Sequence, residues 1–358
     1  MIGRRGKWLI FLYMVFLAVL FLMCSTDLII REPEKEVYQI AVIIEDARDD
    51  NYVSFRKGMD QAAMELNADV HFITLYEKMD VDQQMELISR EQQDGAHALI
   101  IVPADEDKVA GALTDGRVTV PTVLIGSEIT GEKAAGTIGA DYKNMGRLLA
   151  EAVMKDADET CQMVILEEPQ KRSNMSRLFL EGIKEEFEEQ GRSWESATGQ
   201  ESGQGFSHLA ERLDSGNGQH IVILAETPEL LTETAGFLAE NPELLAEAGE
   251  KKTGEPQLEE KESQTWDGIG EGSFGNRGAV LGLYGRGSTL SALNYLDRGM
   301  IQGICVTDEY SIGYLCVDMA VRALEGDLSR NRLQTDSYYI EKEDLRKPEY
   351  EKLLFPVE

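Results

Sequence analysis

The side chains that most often carry chemistry occur in this sequence without the spacing that catalysis requires. There is no phosphate loop of the form GxxxxGK[ST], no HExxH zinc pair and no GxSxG nucleophile turn. Gly285-Arg-Gly-Ser288 follows a predicted strand but lacks the third glycine of a dinucleotide site, so we interpret it as a turn into a helix. The four histidines are distributed over separate predicted elements: His71, His97, His208 and His220. The sequence therefore predicts neither an enzyme nor a cofactor.

The cysteines and the overall charge exclude two further classes of function. Cys24, Cys161, Cys305 and Cys316 are too scattered for a disulfide framework or a CxxC metal site, so we expect structural thiols. The 358 residues contain 65 Asp plus Glu against 35 Lys plus Arg, a formal net charge of −30. Such a charge repels phosphate backbones, and the sequence has no dense basic block. We therefore expect a globular protein with no nucleic-acid partner.

The first 30 residues are typical of a membrane-directing segment. Residues 1–7 are basic, and residues 8–24 carry no charge. The length of this run lies at the border between a cleaved signal peptide and a full span, and Cys24 leaves a lipoprotein open although Met23 precedes it. Because the far flank is net acidic, the positive-inside tendency places residues 1–7 in the cytoplasm. We predict a membrane anchor or uncleaved signal over 8–30 and an extracytoplasmic domain at the cell membrane.

From residue 38 onward, short β-branched runs alternate with amphipathic helical runs, a pattern typical of βαβ units and a mainly parallel sheet. The predicted strands are 39–44, 70–74, 98–102, 122–125, 137–139, 161–166, 220–224, 279–284, 301–306 and 336–339. The predicted helices are 52–67, 81–93, 144–155, 175–190, 206–213, 228–240, 288–298 and 311–324. Residues 247–277 show no periodicity and predict a flexible acidic insertion. The fold class is therefore α/β, with two halves of similar design.

Five blocks of sequence occur in an order that resembles one family of binding proteins. They are QIAVIIEDARDDNYVSFRKGMDQAAMEL from Gln39, ALIIVPADED from Ala98, VPTVLIG from Val120, IGADYKNMGRLLAEAV from Ile138 and a long block over 281–326. Their order and spacing resemble the extracytoplasmic sugar-binding proteins of ribose type, the type 1 solute-binding family, over about residues 38–345. The resemblance implies two lobes, each a parallel sheet flanked by helices, with a ligand cleft and a hinge between them.

The resemblance also implies how the chain is divided between the two lobes. In the family the chain crosses between lobes three times, which here would fall near 155–161, 306–308 and 332–336. We therefore expect the first lobe to comprise residues 37–155 plus 308–332, and the second to comprise 156–306 plus 333–345. The acidic insertion at 247–277 would then belong to the second lobe.

The resemblance further implies ligand-binding residues at the ends of the predicted strands. Asp49, Asn51 and Tyr52 fall where the family has polar and aromatic residues that contact the sugar. Asn51 has the alternative role of capping the helix that follows. Five more candidates match or adjoin sugar contacts of the family: Ser127, Arg177, Glu226, Tyr284 and Thr307. Asp141 matches an aspartate of the family, and its alternative role is a helix cap.

The residue types at several of these positions depart from the family. Glu226 stands in place of an asparagine, Tyr284 of an aspartate and Thr307 of a glutamine. Since each missing hydrogen bond in a monosaccharide site costs about 1–3 kcal/mol, recognition of the family's usual sugars should be lost. One hypothesis is a solute-binding protein that closes on a small polar, carbohydrate-like ligand for an ABC importer with a membrane permease and ATPase. The other is a sensing module, with a divergent or lost sugar site, that signals to a membrane histidine kinase.

Overall fold

The computed structural model describes residues 4–25, 37–129, 134–168, 172–198, 220–245, 279–329 and 331–356. The helix predicted at 206–213 and the insertion predicted at 247–277 lie outside these residues. The chain divides into two compact units, residues 1–38 and 39–358, and the first contains helix α1, Arg4–Ser25. Among the described residues, no helix combines the length and hydropathy that a membrane crossing requires. The anchor predicted over 8–30 stays a prediction, and residues 26–30 of that range lie outside the described residues.

The larger unit alternates strands and helices, as the sequence predicts. The strands are β1 Tyr38–Ile43, β2 Ala68–Ile73, β3 Ala98–Ile101, β4 Thr122–Ile125, β5 Gly136–Ala140, β6 Gln162–Glu167, β7 Trp194–Thr198, β8 Ile221–Ala225, β9 Val280–Arg286, β10 Gly303–Thr307, β11 Arg332–Thr335 and β12 Ser337–Glu341. The helices are α2 Val53–Leu66, α3 Val81–Gln93, α4 Glu106–Thr114, α5 Tyr142–Asp156, α6 Asn174–Glu189, α7 Pro228–Glu240, α8 Leu290–Asp297, α9 Glu309–Leu324 and α10 Pro348–Leu354. Strands β7 and β11 and helices α4 and α10 have no counterpart among the predicted elements.

Two six-stranded sheets organise the described residues. The first has the strand order β11-β5-β4-β3-β1-β2, and its β1–β3, β3–β4, β4–β5 and β5–β11 pairs are parallel. The second has the order β12-β10-β9-β8-β6-β7, in which only β12 runs antiparallel to its neighbour. Central strands such as β3 and β8 are buried on both faces, because helices cover both sides of a parallel sheet. The predicted two-lobed α/β class is therefore confirmed.

Each helix belongs to the lobe whose sheet covers its apolar face. Helices α3 and α4 share a core with the first sheet, and α9 packs against α2 and against strands β3, β4 and β5. Helices α7, α8 and α10 share a core with the second sheet. Helix α5 packs against α6, and its buried residues join the second sheet's other core, which contains Met163 and Phe179. The first lobe thus holds α2, α3, α4 and α9, and the second lobe holds the helices from α5 to α8 together with α10.

The position of α5 corrects the predicted lobe boundary. The chain first crosses between Ala140 and Tyr142, not near 155–161, because Tyr142, Leu149 and Val153 are buried against the second sheet. The second crossing lies between β10 and α9, and the third lies between β11 and β12. Residues 333–335 consequently belong to the first lobe, in contrast to the prediction. An amphipathic pattern shows that a helix has a buried face but does not show which sheet receives it.

Two pairs of helices approach closely through glycines. A Cβ atom on Gly146 of α5 would clash with the backbone carbonyl of Phe179 in α6, and one on Gly182 would clash with the carbonyl of Lys143. The α2–α9 pair in the first lobe is built in the same way by Gly58 and Gly313. Because backbone atoms occupy the space next to each glycine, neither contact can accept a side chain without moving a helix.

Substitution of Gly146 tests the assignment of α5 to the second lobe. Gly146→Ala should lower the free energy of unfolding by about 1–3 kcal/mol, since the added methyl group forces α5 away from α6. Gly111→Ala in α4 is the matched control, because nothing lies within 4 Å of its added Cβ and alanine favours helix, so it should raise stability by about 0.5–1 kcal/mol. Urea unfolding measures both variants. Equal stabilisation by both would contradict the α5–α6 packing.

Candidate ligand-binding site

A cavity of about 100 Å³ lies where the carboxyl ends of the two parallel sheets face each other. Its lining residues follow the strands directly: Glu45 and Asp46 after β1, Glu168 after β6, Thr227 after β8, Arg286 at the end of β9 and Thr307 at the end of β10. In α/β folds this edge of the sheet collects loops and helix N-termini, and ligands bind there. The cavity is smaller than the roughly 300–1,000 Å³ of most small-molecule sites.

Three of the predicted site residues line this cavity: Asn51, Tyr52 and Thr307. The Tyr52 hydroxyl donates a 2.7 Å hydrogen bond to Oε2 of Glu45, and the Thr307 hydroxyl donates one of 2.5 Å to Oε1 of Glu309. The Asn51 amide donates to Oε1 of Glu229 in the opposite lobe. Hydroxyl, amide and ring groups therefore converge here, each already oriented by a carboxylate.

The structure decides the alternative roles of Asn51 and Asp141. Helix α2 begins at Val53 after a 3-10 turn over Asp50–Tyr52, and its N-cap makes no side-chain hydrogen bond, so Asn51 does not cap it. Asp141, in contrast, accepts a 2.9 Å hydrogen bond from the backbone N–H of Asn144 and caps α5. A capping aspartate at this point fixes the start of the helix immediately after the first lobe crossing.

Asp49, Ser127 and Arg177 do not line the cavity. Asp49 is half-buried and forms an ion pair with Arg56 in helix α2. Ser127 lies in a separate shallow cavity of about 280 Å³, and its hydroxyl accepts from the N–H of Ile129. Arg177 is exposed, with Nη2 3.0 Å from Oε2 of Glu128.

Glu226 and Tyr284 do not line the cavity either, because both side chains are buried in the interior of the second lobe. Glu226 is fully buried and accepts from the Glu168 N–H at 2.7 Å and from Nε of Arg172 at 3.0 Å. Burial raises the pKa of Glu226, and these two donors oppose that rise. Strand β9 continues to Arg286, so Tyr284 lies within the sheet, where its hydroxyl donates to Asp156 at 3.3 Å.

A cluster of charges at the cavity joins the two lobes. Nζ of Lys78, in the first lobe, lies 2.9 Å from Oε1 of Glu168 and 3.5 Å from Oε2 of Glu229, both in the second lobe, and 3.9 Å from Oδ2 of Asp46. Burial lowers the pKa of Lys78, but the three carboxylates overcome this and raise it above its ordinary value. Burial also acts to raise the pKa of Glu229, yet Lys78 and Asn51 hold it below its ordinary value. Lys78 therefore stays charged, and we call these four side chains the Lys78 cluster.

Two further carboxyl groups, Glu45 and Glu309, lack a cation at this distance. Glu45 is 7% exposed, and burial raises its pKa to about 7 against the hydrogen bond from Tyr52. Desolvation likewise raises the pKa of Glu309, with its Thr307 hydrogen bond and the charge of Arg286 acting in the opposite direction. Among the described residues, neither carboxylate has a lysine, arginine or histidine nitrogen within 4.0 Å. Both groups are therefore short of positive charge.

Comparison with known families decides what kind of protein carries this cavity. Residues 40–328 match the model of a periplasmic binding protein domain. This range runs from strand β1 to the end of helix α9 and therefore includes strands of both sheets. The chain belongs to the periplasmic binding protein family. The resemblance inferred from the five sequence blocks is thereby confirmed. No curated protein matches the chain significantly.

Solved structures of periplasmic binding proteins share the fold of this chain. An ABC transporter solute-binding protein from Agrobacterium vitis, bound with α-D-tagatopyranose, has a TM-score of 0.70 at 14% identity, over 89% of this chain and 100% of that chain. One from Agrobacterium radiobacter in complex with D-arabinose has a TM-score of 0.69 at 16% identity, over 90% and 100%. One from Bacillus halodurans with bound myo-inositol has a TM-score of 0.67 at 17% identity, over 89% and 99%.

The lining of this periplasmic binding protein includes residues that sequence reasoning missed. The missed residues are Glu45, Asp46, Lys78, Tyr142, Glu168, Glu229, Arg286 and Glu309. Several carry a usable signal, since Glu45, Asp46 and Glu168 lie one or two residues beyond a predicted strand, where this fold binds ligands. Lys78 carries no such signal, because it lies in the loop after the edge strand β2. The residue that follows it, Met79, has left-handed backbone.

Removal of the Lys78 charge tests whether the cluster holds the lobes together. Lys78→Met should favour separated lobes, because Asp46, Glu168 and Glu229 then repel one another with no cation between them. A lost hydrogen bond to a charged group costs about 1–3 kcal/mol, which shifts the ratio of joined to separated lobes by about tenfold. Small-angle X-ray scattering should show an increased radius of gyration.

Lys143→Met is the matched control for this experiment. Lys143 also contacts two carboxylates, Glu181 and Glu185, each at 2.7 Å, but all three residues belong to the second lobe. Its removal should leave the radius of gyration unchanged. An unchanged value for Lys78→Met as well would show that the cluster does not control lobe separation.

The raised pKa of Glu45 predicts a specific dependence of stability on pH. The folded protein holds this proton up to about pH 7, and the ordinary value is 4.5. The stabilisation is therefore fully present below pH 4.5 and is lost as pH rises to about 7, a loss of about 3 kcal/mol. Glu45→Gln should remove this loss, so the gap in unfolding free energy between variant and wild type should widen by that amount from pH 4.5 to 8.

Urea unfolding at a series of pH values measures this gap. Glu86→Gln, an exposed carboxyl on α3, is the control and should give a curve parallel to that of the wild type. If the Glu45→Gln curve is also parallel to the wild-type curve, Glu45 does not titrate near neutral pH.

Proposed function

We propose that this chain is an extracytoplasmic solute-binding protein that binds a small polar, carbohydrate-like ligand in the cavity between its lobes. The observation that carries the proposal is the cavity at the facing carboxyl ends of the two sheets, in a chain of the periplasmic binding protein family. Both lobes contribute polar side chains to it, including Asn51 and Tyr52 from the first, and Ser176 and Thr227 from the second. A ligand held by both lobes is bound better when the lobes are joined, so binding and closure are coupled.

The chemistry of the lining supports a hydroxyl-bearing ligand. Carboxylates accept hydrogen bonds from hydroxyl groups, and the cavity presents several of them beside the amide of Asn51. The rings of Tyr52, Phe55 and Tyr142 offer flat apolar faces of the kind that pack against a sugar ring. The related structures with tagatose, arabinose and myo-inositol support the same class of ligand.

The chain topology supports a hinge. Three short connections join the lobes, at 140–142, 307–309 and 335–337, and they lie side by side at the inner edge of the two sheets. A few residues that connect two rigid bodies can absorb the change in backbone angles during opening and closure. Opening about this hinge would give a ligand larger than the 100 Å³ cavity access to its lining.

The proposed role is delivery of the ligand to an ABC importer, and its alternative is signalling to a membrane histidine kinase. The family assignment supports import, and so does the similarity to solute-binding proteins of ABC transporters. Deletion of the gene distinguishes the two roles. Lost uptake of the labelled ligand with an intact transcriptional response supports import, whereas intact uptake with a lost response supports sensing. The predicted membrane-directing segment at 8–30 agrees with an extracytoplasmic location in either role.

A thermal-shift screen of the full-length protein tests the binding proposal. A saturating sugar or polyol should raise the melting temperature by mass action. At a ligand concentration of 100 times Kd, the free energy of unfolding rises by about 2.7 kcal/mol. Tyr52→Phe should then weaken that ligand about tenfold, because the hydroxyl that orients Glu45 is lost. Tyr314→Phe is the control, since its hydroxyl makes the same 2.7 Å contact with Glu65 away from the cavity. No shift with any sugar or polyol in a broad panel would contradict the proposal.

A further inference from the structure

The charges that line the cavity are unequal in number. Five carboxyl groups face it and two cations do: the carboxyl groups are Glu45, Asp46, Glu168, Glu229 and Glu309, and the cations are Lys78 and Arg286. Three of the carboxyl groups share the single ammonium of Lys78 in the Lys78 cluster. The cavity therefore holds three more acidic than basic side chains, so its own cations cannot neutralise every carboxyl group that ionises.

Arg286 does not correct this imbalance, because its donors are directed elsewhere. Its Nε donates to the backbone carbonyl of Glu226 at 3.0 Å and its Nη2 donates to the Ser176 hydroxyl at 2.8 Å. Its guanidinium also lies over the ring of Phe179, 5.5 Å from the centroid. All three contacts are within the second lobe. Arg286 acts on Glu309 only through its field.

Glu45 and Glu309 are the two carboxyl groups that remain without a cation. Glu45 faces Tyr52, Asp46 and Lys78, and Glu309 faces Thr307, Asp308 and Arg286. Their hydrogen-bond partners in the cavity are the hydroxyls of Tyr52 and Thr307, which are neutral. Glu45 is buried and Glu309 is half-buried, and a carboxylate removed from water with only neutral partners is costly. Each of these groups therefore gains more from a cation than from a further hydroxyl.

Aromatic rings surround the same part of the cavity. Tyr52 and Tyr142 line the cavity together with Glu45 and Glu309, and the Tyr52 hydroxyl donates a hydrogen bond to Glu45. Phe55 also lines the cavity and contacts Tyr52 edge to face, with ring centroids 5.8 Å apart. The faces of aromatic rings attract organic cations. The rings therefore favour an organic cation through cation–π attraction, and the carboxyl groups without a paired cation favour one through charge.

We infer that the ligand of this cavity carries a protonated amine, which Glu45 and Glu309 recognise together with the rings of Tyr52 and Tyr142. The inference rests on the proposed function, and within the carbohydrate class it selects amino sugars over neutral sugars. A carboxylate attracts an ammonium group more strongly than a hydroxyl in a desolvated site. Lys78 does not supply the cation for Glu45 and Glu309, because its ammonium is already shared by Asp46, Glu168 and Glu229.

Matched pairs of ligands test the inference at pH 7 by isothermal titration calorimetry on the full-length protein. The pairs are glucosamine and 6-amino-6-deoxyglucose against glucose, and galactosamine against galactose; putrescine is the amine without a sugar. At least one amino sugar should bind about tenfold or more tightly than its neutral parent, the value expected of one charge-assisted hydrogen bond. Added sodium chloride should weaken the amino sugar more than the parent.

Charge-removing variants identify the residues responsible. Glu309→Gln and Glu45→Gln should each reduce the preference for the amino sugar over its neutral parent to about threefold or less. Two variants are used so that a folding defect in one, detected by circular dichroism, leaves the other informative. Glu86→Gln on the exposed face of α3 should keep the full preference.

The outcomes separate this inference from the proposed function. Neutral sugars that bind as tightly as their amino counterparts would overturn the inference and leave the proposed function in place. Putrescine that binds more tightly than every sugar would support the amine and contradict the carbohydrate class. Absence of binding by all these ligands, and by the broader thermal-shift panel, would contradict both.

Discussion

The contact of the Lys78 ammonium with carboxylates from both lobes is the interaction on which the candidate site depends. Asp46 belongs to the first lobe, whereas Glu168 and Glu229 belong to the second, so the three carboxylates repel one another as soon as the lobes meet. Lys78 reverses the sign of that interaction, and the cavity exists in its present form because the repulsion is overcome. The same arrangement makes the joined state sensitive to charge, since an additional cation or anion in the cavity changes the balance directly.

Most of the fold could be predicted from the sequence, because the alternation of β-branched and amphipathic runs is a local signal. Strand β4 and helices α3 and α7 have the predicted bounds, and most other predicted elements within the described residues are displaced by only one or two residues. The lobe boundary could not be predicted in the same way. The apolar face of α5 is equally compatible with either sheet, and only its contact with α6 through Gly146 and Gly182 decides between them. The sheet against which a helix packs depends on tertiary contacts, and the local hydrophobic pattern of one sequence does not reveal it.

The candidate site was less predictable than the fold, and the reasons are physical. The family resemblance assigns Asn51, Tyr52 and Thr307 to the binding site, and all three line the cavity. Tyr284 was misplaced because β9 extends two residues further than its apolar run, which moves the end of the strand to Arg286. Glu226 follows its strand correctly, but Arg172 and the Glu168 N–H hold it in the interior. A strand end locates a residue to within a turn of the cavity, while the direction of its side chain depends on partners that are distant in sequence.

The acidic character of the chain has a different meaning in the cavity than on its surface. A net charge of −30 is expected to lie mainly on solvated helix faces, where each carboxylate costs little and keeps the protein soluble. In the cavity, water no longer compensates a carboxylate, and Glu45 accordingly shifts its pKa to about 7. A protein that only needed hydroxyl acceptors could use amides and backbone carbonyls at this position without that cost. The presence of two carboxyl groups with only neutral partners is therefore better explained by the charge of what they bind than by the general acidity of the chain.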